Sequence, residues 1–230
     1  MAGTGRGRGL TVAALVTGLL GLLLGIGSFT YGRSAYGLGT VRSENMTPTY
    51  EPGDRVVWER VDGGEVRRGD VVAFSAPDRY PGVGVHVQRV IGVGGDRVAC
   101  CTRVGGRERV TVNGKPVEEP YVFQGEADGA HHPYDVKVPR GRLFLLGDHR
   151  SNSMDSRFFV ADHDGTLPVG AVEGRLTGDR TGLALVGTAP LVGVVLVLTG
   201  VGLGIGALVV RRRKAPVVPP VPWPVGPAQG

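Results

Sequence analysis

The sequence predicts a mostly β domain held between two membrane-spanning helices. Three observations carry that expectation. Two long uncharged apolar runs, Leu10 to Phe29 and Leu183 to Val210, lie toward the ends of the 230-residue chain. Basic clusters flank them, Arg6 and Arg8 before the first and Arg211-Arg212-Arg213-Lys214 after the second. Between the runs, short stretches rich in Val, Ile and Phe recur between Gly, Pro and Asp, with no long amphipathic helical period.

In order, residues 1–9 are expected to be a cytoplasmic N-terminus and residues 10–30 a transmembrane anchor. A helix rises about 1.5 Å per residue, so about twenty apolar residues cross a hydrocarbon core of about 30 Å. Arg6 and Arg8 keep the N-terminal side in the cytoplasm, where flanking positive charge is retained. A cleaved leader has an apolar core of only about 7–15 residues. No clear small-x-small cleavage site follows before Tyr31, so the anchor is expected to stay attached.

Residues 31–181 are expected to form one extracytoplasmic domain. Strands are predicted at Arg55 to Trp58, Val71 to Phe74, Val83 to Val93, Val110 to Val112, Tyr134 to Val138 and Arg142 to Leu146. Asn113-Gly114 between Val112 and Val117 is a two-residue hairpin signal. Side chains alternate along a strand, so Val83, Val85 and Val87 share a core face. His86 and Gln88 then share the other face, toward a groove, a neighbouring sheet or solvent. Residues 182–210 are the second span. Residues 211–230 form a basic, proline-rich cytoplasmic tail that favours extended conformations. Two spans with both ends inside place the central domain outside.

Composition excludes several classes. The net charge of +5 is modest and gathers largely at the termini, unlike the basic face of a nucleic-acid binder. Two cysteines, Cys100 and Cys101, are too few for a disulfide scaffold or a four-ligand zinc site. A bridge between neighbours is strained, so two thiols are expected. His131-His132, His149 and His163 fit no ligand spacing, and no metal or other cofactor is expected. Gly92-Val93-Gly94-Gly95 lacks the Lys-Ser/Thr ending of a phosphate loop, and a turn is expected there.

Four segments of the central domain carry more specific information. They are Ser43-Glu44-Asn45-Met46-Thr47-Pro48-Thr49, Arg68-Gly69-Asp70-Val71-Val72, Gln88 to Asp96 (Gln-Arg-Val-Ile-Gly-Val-Gly-Gly-Asp), and Gly147 to Arg157 (Gly-Asp-His-Arg-Ser-Asn-Ser-Met-Asp-Ser-Arg). In this order they resemble the boxes of the bacterial type I signal peptidases. The resemblance implies an all-β, partly barrel-like body with an added β subdomain. It also implies a serine endopeptidase that removes signal peptides from secreted preproteins, binding each as an extended strand with pockets for a small-x-small motif.

That chemistry uses a serine nucleophile and a lysine base kept neutral by burial. By resemblance, Asn45 stands at the nucleophile and Gln88 at the base. A carboxamide is neither a nucleophile nor a useful base near pH 7. None of the three lysines replaces the base, since Lys115 follows the hairpin turn, Lys137 is remote in sequence and Lys214 is cytoplasmic. Loss of such a group can lower kcat by about a millionfold in other serine proteases. The resemblance further assigns Ser43 to the oxyanion position and Ser153 to orienting the base. It assigns Arg89, Asp155 and Arg157 to a supporting charged network. Ser43 and His86, each two residues before a substituted position, also offer a shifted serine–histidine pair if Ser43 is extended.

Two functions follow. One is a membrane-anchored signal peptidase working through an altered dyad. The other is an inactive homologue that binds signal peptides or regulates an active peptidase. The implied partners are preprotein signal peptides and the lipid bilayer, with the secretion translocon or another signal peptidase as further candidates.

Overall fold

The computed structural model describes residues 3–80, 84–129, 133–178 and 180–212. The chain divides into two compact units, a pair of helices and a β-rich unit over residues 31–180.

The helical unit contains α1 (Gly3–Ala35) and α2 (Arg180–Arg212), both long and apolar enough to cross a membrane. Each contains the predicted apolar run and extends beyond it. Within the unit the helices meet through glycine. A Cβ on Gly21 would lie 2.7 Å from the Gly193 carbonyl oxygen, and one on Gly200 would lie 2.8 Å from that of Ala14. Small residues are what permit such close backbone packing between apolar helices. The predicted tail and the charges Arg213 and Lys214 lie outside the described residues.

Among the described residues the β unit holds eleven strands: β1 (Tyr36–Thr40), β2 (Arg55–Glu59), β3 (Val71–Phe74), β4 (His86–Val93), β5 (Arg97–Val104), β6 (Arg107–Val112), β7 (Lys115–Pro116), β8 (Tyr134–Lys137), β9 (Arg142–Leu146), β10 (Leu167–Pro168) and β11 (Val172–Leu176). They form a seven-stranded sheet, β1-β2-β11-β3-β4-β9-β10, and a four-stranded sheet, β7-β6-β5-β8, which is the added β subdomain. The paired strands are antiparallel.

β4 and β9 serve two cores at once. Val90, Leu143 and Leu145 pack with Val72 and Phe74, whereas Ile91, Phe144 and Leu146 pack with Val98, Val110 and Val136 of the small sheet. A strand buried on both faces is apolar throughout, which is why β9 is legible as a continuous run. Asn113 and Gly114 both have positive φ, as the tight turn between β6 and β7 requires. Gly94-Gly95-Asp96 forms the turn from β4 into β5, as expected of that glycine stretch.

The structure corrects three expectations. β4 begins at His86, and Val85 is 37% exposed rather than part of a core face. Gly84, with φ +155, breaks the extended run ahead of the strand, and Val83 lies outside the described residues. β1, β5, β10 and β11 are additional strands not predicted from the sequence, and β1 shows no signal because two of its five residues are glycine. Trp58 lies across that strand and explains both: a Cβ on Gly37 would lie inside the indole, and one on Gly39 would lie 2.9 Å from it. Cys100 and Cys101 are joined as a vicinal disulfide rather than two thiols. They occupy a bulge, where the β5–β6 register shifts between Ala99 and Thr102 and the ladder constrains the backbone less.

Candidate active site

The four segments converge around the Arg89–Asp148 pair. Asp148, fully buried, accepts from Arg89 Nε at 2.8 Å and Nη2 at 2.6 Å, and from Thr49 Oγ1 at 2.5 Å. Arg89 Nη1 donates to the Gly69 carbonyl at 2.8 Å. Arg68 Nε donates to Asp96 Oδ2 at 2.6 Å, tying the second segment to the end of the third. Burial pushes the Asp96 carboxyl up, but donors from Arg68, Val93 and Asn113 outweigh this and hold it below the ordinary aspartate range. The side chains of the four segments are thus joined by hydrogen bonds, most tightly where Arg89 and Asp148 are buried.

A second buried pair lies beside the first. Asp155 accepts from Arg157 Nε and Nη2, each at 2.8 Å, and from the Gly147 amide at 3.1 Å. Arg150, 1% exposed, is held by Glu119 and donates to the Gly147 carbonyl at 3.0 Å. The resemblance places Arg89 in one network with Asp155 and Arg157. The structure instead pairs Arg89 with Asp148 and Arg157 with Asp155, because each arginine finds a bidentate carboxylate on the loop that follows β9.

Inside this frame sit the two carboxamides. Asn45 lies in a single 3₁₀ turn, Glu44–Met46, whose N-terminal neighbour Ser43 is extended at φ −135 and ψ 161. Its Nδ2 donates to the Val87 carbonyl at 2.8 Å, and its Oδ1 accepts from Ser43 Oγ at 2.8 Å. Gln88, only 2% exposed, donates from Nε2 to the Met154 carbonyl at 2.8 Å and to Tyr80 Oη at 3.4 Å. Tyr80 Oη donates to the same carbonyl at 3.1 Å. Burial pushes the Tyr80 hydroxyl up to about 12, so it stays protonated and can donate at neutral pH. The face that carries Gln88 is thus closed by Tyr80 and Met154, not open to a groove.

Ser153 is brought to the same place, with its buried hydroxyl lacking a hydrogen-bond partner. A Cβ on Gly147 would clash with Ser153 Oγ and lie 2.5 Å from the Asn45 carbonyl oxygen. Only glycine fits between them. Asn45, Ser153 and the β4 segment Val87-Gln88 therefore meet around Gly147.

Ser43 and His86 are not brought together. The exposed Ser43 hydroxyl donates to Asn45, which cannot accept its proton as a base. The His86 ring stacks on Tyr80 at 4.5 Å and faces Phe74 at 5.9 Å. Burial, then the neighbouring Arg42 charge, lowers the His86 pKa, so its imidazole is neutral near pH 7. Among the described residues no hydrogen bond joins the two side chains.

Three contributors escape sequence reasoning. Tyr80 lies in a loop with no periodic signal, and Glu119 is one of several acids in its region. Asp148 stands within the fourth segment without a role that the resemblance assigns. His149, within the fourth segment, donates its amide to the Asn45 carbonyl at 3.0 Å and packs its ring on Phe123 at 4.2 Å. Among the described residues no group of three His, Cys, Asp or Glu could hold a metal ion, and His131 and His132 lie outside them.

The chain thus combines a β unit that holds this buried frame with two helices long and apolar enough to cross a membrane. The family described as signal peptidase, peptidase S26, matches residues 12–178, and the chain belongs to that family. It is 35% identical over 132 residues to signal peptidase I of Bacillus caldolyticus, covering 52% of this chain and 68% of that protein. It is 35% identical over 127 residues to signal peptidase I S of Bacillus subtilis, covering 51% and 64%. The alignments thus span about two thirds of these relatives. A solved signal peptidase I from Enterococcus faecalis is 27% identical with a TM-score of 0.37, covering 49% of this chain and 97% of that one.

Proposed function

We propose that this chain binds the cleavage region of signal peptides on translocated preproteins and does not cut them through a serine–lysine dyad. Its β unit would face the extracytoplasmic side, with both termini in the cytoplasm and α1 and α2 spanning the membrane. Family membership supports the ligand class. The flanking arginines support the orientation.

One observation carries the functional half: both dyad positions hold carboxamides already bonded to backbone carbonyls, Asn45 to Val87 and Gln88 to Met154. Neither group can attack a peptide carbonyl or take up a proton. The frame around them is fully paired at Asp148 and Asp155, which favours a retained binding site over a decayed one.

The test is incubation of the purified full chain with a preprotein, beside the Asn45→Ser/Gln88→Lys double variant. The unmodified chain should leave the preprotein intact while retaining a labelled peptide that bears a small-x-small motif. The double variant should release mature protein. Cleavage by the unmodified chain would overturn the proposal, and loss of that cleavage on Ser43→Ala and His86→Ala would assign it to the shifted pair. Failure to retain the peptide would remove the binding role.

A further inference from the structure

We infer that the helical unit carries a seat for one anionic phospholipid, between the start of α1 and the end of α2. The inference rests on the reading of both helices as membrane spans. A cavity of about 240 Å³ opens there along the helix seam. Its walls are Ala14 and Leu15 of α1 with Gly204, Ala207 and Leu208 of α2, and its two polar lining residues are Thr11 and Arg211. Small residues make the hollow. Ala14, Gly204 and Ala207 leave room where bulkier side chains would meet, and a Cβ on Gly204 would touch only the Ala14 methyl, at 3.9 Å.

The helices run antiparallel, because Gly21 meets Gly193 and Ala14 meets Gly200 and Gly204. That register sets Arg8, one turn before Thr11, level with the last turn of α2, where Arg211 and Arg212 stand. Arg8, Arg211 and Arg212 are exposed. Neither helix carries an acidic residue, so the positive charge at this end of the unit is unbalanced within it.

An apolar hollow capped by arginines selects an amphiphile. The hollow takes an acyl chain and the guanidiniums take a phosphodiester, through paired donors that match phosphate oxygens. A free phosphate would leave the hollow unused. A zwitterionic headgroup would bring its own cation toward the arginines. Negative lipid is moreover abundant at the cytoplasmic surface, where flanking arginines are held.

The full chain in detergent, titrated with phosphatidylglycerol or phosphatidylcholine and read by native mass spectrometry, tests the seat. One phosphatidylglycerol should be retained at concentrations where phosphatidylcholine is not. Arg8→Gln with Arg211→Gln should weaken retention by about tenfold or more. Gly204→Leu keeps every charge and fills the hollow, and it should weaken retention to a similar degree. Equal retention of both lipids overturns the seat. So does undiminished retention by Gly204→Leu, which would mean diffuse charge attraction only, or full displacement by inorganic phosphate, which would mean a free-anion site. Release of the chain from membranes by alkaline carbonate would instead sink the spanning reading itself. Stable membrane retention with any of the three adverse results sinks the seat alone.

Discussion

The frame around Gly147 and the pair of positions inside it differ in chemistry, and the difference is instructive. The frame is made of buried charges, Arg89 with Asp148 and Arg157 with Asp155, each bidentate and anchored to backbone as well. The inner positions are neutral carboxamides. Removing one partner of a buried pair strands a charge in low dielectric, which folding does not tolerate well. Carboxamides at these positions carry no charge and find backbone carbonyls at Val87 and Met154, so the only group left without a partner beside them is the neutral Ser153 hydroxyl among the described residues. On the proposed reading, reactivity at this site is separable from stability.

The largest effect that would break this comparison is restoration of chemistry. Asn45→Ser/Gln88→Lys should raise preprotein cleavage by at least about a thousandfold over either single variant, since nucleophile and base act as a unit. A mass-spectrometric count of mature product against time checks it. If either single variant cleaves as fast as the double, the two positions do not act together, and reactivity resides elsewhere in the frame.

Next comes the frame. Asp148→Ala leaves Arg89 unpaired at 9% exposure and should destabilise the full chain by about 3–5 kcal/mol. Denaturant unfolding in detergent, followed by tryptophan fluorescence, measures it. A loss under about 1 kcal/mol would show that the buried pair does not hold the segments together. Gly147→Ala is a smaller insult of another kind, forcing a methyl against Ser153 and the Asn45 carbonyl, and should cost about 1–3 kcal/mol in the same measurement. It should also abolish the cleavage gained by the double variant, because the nucleophile position shifts with that carbonyl.

Much of this architecture is legible in the sequence. β3 and β9 have the bounds their composition predicts, because strands buried on both faces read as apolar runs (in β9 after Arg142), and Asn113-Gly114 announces its turn by chemistry alone. β1, β5, β10 and β11 escape such reading. β1 owes its glycines to Trp58 on another strand, and β5 mixes cysteine, threonine and arginine on a half-covered sheet, so neither shows a local period. At the site, the segments name the residues but not their pairing. Which carboxylate meets Arg89 depends on where the loop after β9 turns, and Tyr80 reaches Gln88 only through the fold. Local pattern reports what a strand faces; it does not report which loop comes back to meet it.

The smallest expected effect concerns His86, which lies near Gln88 on β4 but belongs to neither the frame nor the amide pair. Its pKa is lowered in the folded chain, first by burial and then by Arg42. The unfolded chain therefore binds more protons between the two pKa values, and stability rises with pH across that window. As pH falls through the ordinary histidine value of about 6.5, His86 charges more readily in the unfolded state, and the folded state loses ground. Below the lowered folded value the loss is complete and constant. His86→Phe keeps the stack on Tyr80 and removes the titration. Its Tm should fall less than that of the unmodified chain between pH 7 and pH 5, and a half-buried ring limits the difference to a few degrees at most, about 2 °C. Parallel Tm curves for the two chains would mean that the imidazole titrates alike in both states. His86 would then be a spectator to the fold, and its stacking on Tyr80 would not couple protonation to the clamp on Met154.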